Sequence, residues 1–176
     1  MKWDDQMSLA EQFFEEFCKV YRNHRWPSPR GEFYTSKQWT EEMSKILDKT
    51  AKRLGLRRKR KELRHIDFNW YKEGSNTPAL SVEHENGYKG IWEEEIPKLL
   101  LSKADLKVLI CYPPKKEHWR IGNRLLKLLQ EENEQGRFKE EFLLIMGLPT
   151  QEIRKPEQFT CYRYSLQVNV KRLRLE

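Results

Sequence analysis

Apolar residues return every three or four positions through Leu9, Phe13, Phe14, Phe17 and Val20, which predicts an amphipathic helix over residues 8–22. Ser8 opens it as an N-cap, and Glu11 three positions later completes the pattern of a capping box. The segment "NHRWPSPRGEFYTS" then interrupts the period with two prolines and a glycine. Trp39, Met43, Ile46, Leu47 and Leu54 restore it, predicting a second helix from about 37 to 54 that Gly55 stops.

From residue 63 the period falls to two. Ile66, Phe68 and Trp70 share one side of a strand, and His65, Asp67, Asn69 and Tyr71 the other. The turn "EGSNTP" and the alternating run "ALSVEHE" complete a β-hairpin over 63–86. In its second arm Leu80, Val82 and His84 face one way, while Glu83 and Glu85 face the other. "IWEEEIPKLLLSK" reads as a short helix that Pro97 starts or kinks. The nearly unbroken apolar run of "DLKVLICYP" fits a central, parallel strand covered on both faces. A long helix follows through Trp119, Leu125, Leu126, Leu128 and Leu129, and then two strands, "EEFLLIMGLP" and "FTCYRYSLQVNVKRL". The order is ααββαβαββ: an α/β fold with a central mixed sheet flanked by helices, in a single domain over 1–176.

Composition narrows the setting. No apolar run approaches the roughly 18 residues of a membrane span, and the acidic start "MKWDDQMSLAEQ" has no signal-peptide character, so a cytoplasmic protein is expected. Three widely spaced cysteines, Cys18, Cys111 and Cys161, sit in apolar segments, suggesting buried thiols rather than disulfides or a zinc site. A net charge of +7 and a pI near 9.3 suit a polyanionic partner.

The acidic residues of the hairpin carry the chemistry. Two strand rises, roughly 7 Å, separate Glu83 from Glu85 along one face, and the neighbouring arm offers Asp67. Three carboxylates so placed repel one another unless they are solvated or balanced by a cation. Hard oxygen ligands suit Mg2+ or Mn2+. The alternative is a solvated sheet face with no site at all.

"HID", a turn, "SVEHE", a helix and the buried strand "LKVLICY" resemble the PD-(D/E)xK nuclease superfamily, with its restriction-endonuclease-like fold. The resemblance covers roughly residues 37–112 and a short motif. It implies metal-dependent hydrolysis of phosphodiester bonds in nucleic acid, DNA rather than RNA, with Asp67 and Glu83 as metal ligands. Glu85 stands where the superfamily usually has a lysine that orients the attacking water; a minority of restriction endonucleases carry Glu there. Asp67, Glu83 and Glu85 are therefore the expected metal ligands and catalytic carboxylates, and Lys98, on the following helix, is the candidate to replace the missing lysine. Cutting both strands of a duplex would favour a homodimer.

Other residues have a structural alternative beside the functional one. Glu42 is a fourth carboxylate or a rim residue, and His84 a base or a packed core histidine. Arg57, Arg58, Lys59, Arg60 and Lys61, with His65, are expected to contact phosphates, or else to form a solvated edge strand. Arg22, Arg25, Arg30, Trp26 and Tyr34 form a basic, aromatic loop suited to stacking and backbone contact, or else hold a structural Trp packed beneath a loop. The competing function is a catalytically inactive nucleic-acid-binding or protein-interaction module on the same fold.

Overall fold

A computed structural model describes residues 7–26, 35–58, 66–136, 139–148, 159–165 and 170–173. Four α-helices and seven strands follow one another along these residues. They are α1 (Leu9–Arg22), α2 (Ser36–Arg53), β1 (Arg57–Arg58), β2 (Phe68–Tyr71), β3 (Leu80–His84), α3 (Glu95–Leu101), β4 (Leu106–Cys111), α4 (His118–Glu134), β5 (Glu141–Met146), β6 (Thr160–Tyr164) and β7 (Val170–Leu173).

The sheet runs in chain order from β1 to β7. β1, β2 and β3 are antiparallel neighbours, β3, β4 and β5 are parallel, and β5, β6 and β7 are antiparallel again. The expected hairpin and the expected central parallel strand both form. Three details differ from what the sequence predicts. β1 adds an edge strand ahead of the hairpin, antiparallel to β2. The last predicted strand is two, β6 and β7, paired Cys161 to Leu173, because alternation alone does not mark the reversal between them. Trp119, expected on the buried face of α4, is 72% exposed; it precedes the buried stripe of Ile121, Leu125 and Leu129.

Each helix buries one stripe, so the sheet is covered on both sides. Phe13, Phe17 and Val20 of α1 and Trp39, Met43, Ile46 and Leu47 of α2 pack on Leu80, Val82, Val108, Ile110, Leu143 and Ile145. On the other face Ile96 and Leu99 of α3 and Ile121, Leu125 and Leu129 of α4 pack on Leu109, Cys111, Phe142, Leu144 and Met146. The capping box of Ser8 and Glu11 forms, and α2 has a second, Thr35 with Gln38. Helix α2 gives way to Gly55 at φ +72, a backbone state that glycine adopts without strain. Cys18, Cys111 and Cys161 are buried thiols. Among the described residues no helix is long and apolar enough to cross a membrane.

Candidate active site

Strand alternation decides where Glu83 points. Val82 and His84 belong to the α1–α2 side, which leaves Glu83 and Glu85 on the side of α3 and α4. Glu83 is paired with Leu109 across the parallel ladder and is 1% exposed. The ladder between β2 and β3 pairs Phe68 with Val82, so one further step places Asp67 beside Glu83. Asp67 is exposed, and its Oδ2 accepts the backbone N–H of His84 at 3.0 Å, which ties the aspartate to the glutamate strand.

Helix α3 supplies the rest. Glu95 and Lys98 are three residues apart, hence on one helix face, and Lys98 Nζ donates to both Glu95 carboxylate oxygens at 3.2 Å. Glu95 is itself buried and lies within hydrogen-bonding reach of the Glu83 carboxyl. No donor reaches the buried Oε1 of Glu83. A bond between two carboxyls needs one proton on the pair, so this corner of the fold takes either a proton or a cation.

The electrostatics follow from that crowding. Burial, then the bond to Glu95 and the charges of Asp67 and Glu95, hold the Glu83 carboxyl well above the ordinary carboxylate range, with Lys98 pulling the other way. Desolvation works against the Lys98 ammonium, but the bond to Glu95 and the charges of Glu95, Glu83 and Glu94 outweigh it, so its pKa rises. Lys98 therefore stays cationic beside the carboxyls.

The structure thus brings Asp67, Glu83 and Lys98 together, and adds Glu95. Glu85 shares their face, but its Oε1 accepts the Gly87 N–H at 2.9 Å, and the neighbours that act most on Glu83 are Glu95, Asp67 and Lys98. Glu42 lies elsewhere: its side chain belongs to α2 and bonds His24 at 2.7 Å and Lys45 at 2.6 Å. His84 is a packed histidine whose Nε2 meets the Tyr112 hydroxyl at 2.9 Å, and burial pushes its pKa down to about 4. Arg57 and Arg58 form the exposed edge strand β1. Arg57 pairs with Glu73 at 3.1 Å, and Arg58 pairs with Asp48 at 3.6 Å and lies over the Phe68 ring. Such exposed pairs hold weakly and leave both cations open to phosphate. Lys59, Arg60, Lys61, His65, Arg30 and Tyr34 lie outside the described residues.

Glu95 is the residue that strand alternation does not find. Its trace in the sequence is the spacing "EIPK", an acid and a base three apart at the start of a helix that returns over the glutamate strand.

Among the described residues no three His, Cys, Asp or Glu side chains form a ready-made metal cage. Mg2+ does not require one, since it is commonly held by one or two carboxylates and completes its octahedron with water and substrate phosphate. The unpartnered Glu83 Oε1, with the exposed Asp67 carboxylate alongside, fits that mode. No family model, curated protein or solved structure matches the chain.

Proposed function

We propose that the protein is a metal-dependent nuclease on a restriction-endonuclease-like fold, hydrolysing phosphodiester bonds in nucleic acid, with DNA its preferred polymer. The observation that carries the reading is the buried Glu83 carboxyl, one oxygen without a donor, set between Asp67 and Glu95 with Lys98 at hand. Asp67 and Glu83 would hold Mg2+ or Mn2+. When bound, such an ion activates water and neutralises charge on a phosphodiester in flight.

The chain's own residues supply the remainder. Glu95 fixes the Lys98 ammonium through two hydrogen bonds, and the ammonium, on the helix facing Glu83, orients the attacking water and stabilises negative charge on the phosphate. Lys98 thereby takes the part that a lysine at position 85 would have played. Arg57 and Arg58 on the edge strand offer contacts to the phosphate backbone.

Incubation of single- and double-stranded DNA and RNA with the protein in Mg2+ or Mn2+ tests this. Cleavage that EDTA abolishes, and that Lys98→Met slows by about 10²–10³-fold, is the expected result. Absence of cleavage of every polymer, at concentrations where the protein binds it, overturns the reading.

One observation favours the inactive module instead: Glu85 occupies the lysine position, and its carboxyl is turned to Gly87. That alternative expects nucleic-acid binding that divalent cations leave unchanged.

A further inference from the structure

A cavity of about 370 Å³ opens between the loop that follows β3 and helix α4, where Tyr88, Lys89, Trp92, Glu93, Arg120 and Arg124 are among its lining residues. Its place follows from the chain path. The loop that leaves β3 after Glu85 carries Tyr88, Lys89 and Trp92 before it reaches Glu95 and Lys98. Arg120 and Arg124 come from the first half of α4, which follows the C-terminal end of the neighbouring parallel strand β4. Clefts beyond the carboxyl ends of parallel strands are where open α/β sheets hold ligands.

Three cations oppose one carboxylate in this cavity, and two of its walls are aromatic. The Arg124 guanidinium lies 4.0 Å from the centroid of the Trp92 ring, a cation–π arrangement that fixes the fork while leaving its N–H edges available. The Arg120 side chain is exposed and pairs at 2.6 Å with Glu117, whose own side chain is largely buried, so the guanidinium is anchored on one side and keeps further N–H groups for a phosphate. The volume stands at the small end of the roughly 300–1,000 Å³ of ligand sites, room for one nucleotide rather than a duplex.

We propose that this cavity seats one unpaired nucleotide of the strand being cut, its phosphate on Arg120, Arg124 and Lys89 and its base against Tyr88 and Trp92. The inference rests on the nuclease reading and names its substrate class: a single strand, or the frayed or flapped end of a duplex, because a paired base is not free to enter.

Fluorescence anisotropy in EDTA separates the two ideas, since binding is read without cleavage. The probes are a labelled twelve-nucleotide oligo-dT, the same length of blunt duplex, and unlabelled dTMP as competitor. Single strand should bind at least about tenfold tighter than duplex. Trp92→Ala and Arg124→Ala should each weaken it about tenfold or more, while Lys19→Ala, which removes an exposed cation of α1 on the other layer, binds as the native chain does. Arg124 is exposed, so Arg124→Ala remains informative if Trp92→Ala fails to fold. Equal binding by Arg124→Ala, or preference for duplex, overturns the proposal. Binding of dTMP with none of oligo-dT overturns it too, and marks a free-nucleotide site. Intact binding with no cleavage in Mg2+ sinks the nuclease reading alone.

Discussion

Replacing Glu83 by Gln should stabilise the protein in EDTA at neutral pH, although Glu83 lies in the middle of the sheet. The native fold keeps this carboxyl protonated far above its unfolded value of 4.5. Its contribution to stability is therefore complete below that value and is lost as pH rises toward the folded pKa. Across that window the unfolded chain has released one proton that the native chain still holds, which costs up to ~1.4 kcal/mol per pH unit. Between about pH 5.5 and 7.5 the loss reaches ~2.7 kcal/mol, or ~5–11 °C in Tm for a chain of this length. A glutamine has no proton to keep, and its amide can donate to the Glu95 carboxylate. Thermal unfolding of native protein and Glu83→Gln in EDTA, at several pH values in this range, measures the difference. Titrating groups that do not act on the Glu83 carboxyl, His84 included, are common to both chains and cancel. The variant should gain on the native protein steadily as pH rises, and addition of Mg2+ should raise the native Tm while leaving the variant unmoved. A difference in Tm that does not change with pH would mean instead that an ionised Glu83 is already balanced within the fold.

Burial lowers the His84 pKa to about 4, so the stability it confers is present above its unfolded value of 6.5 and falls as pH drops from there to 4; His84→Gln should flatten that limb in acid titrations followed by circular dichroism. A Cβ at Gly147 would come within 2.8 Å of the Tyr112 ring and 2.9 Å of the Phe159 ring, both buried, and Gly147→Ala should cost about 1–3 kcal/mol in urea unfolding. Ser8→Ala removes the acceptor for the Glu11 N–H and should cost about 0.5–2 kcal/mol by the same measurement.

Much of this arrangement is written in local pattern. The capped first helix, the hairpin and the buried central strand follow from period, caps and turn residues, because each is decided by neighbours within a few positions. Asp67 and Glu83 share a face for the same reason: strand pairing is set by the hairpin, and alternation by the pleat. What local pattern does not carry is which helix residues return over that face. Glu95 meets Glu83 only because the β3–α3–β4 crossover lays α3 on that side of the sheet, and the same geometry brings Lys98 to the carboxyls while Glu42 stays on the opposite layer. Glu85 shows the converse. Its place in the strand is legible, but its bond to Gly87 depends on how the chain turns after β3. The cavity between the β3–α3 loop and α4 likewise joins residues more than thirty positions apart, beyond any periodicity.

On the proposed function, hydrolysis is organised around Glu83 with Lys98, and Glu85 is a structural residue of the loop. Parallel time courses of single-strand DNA cleavage in Mn2+ by the native protein, Glu83→Gln and Glu85→Gln test it most directly. Cleavage should be lost in Glu83→Gln and retained within a few-fold in Glu85→Gln; a Glu83→Gln protein that cuts as fast as the native chain would rule out this role for Glu83.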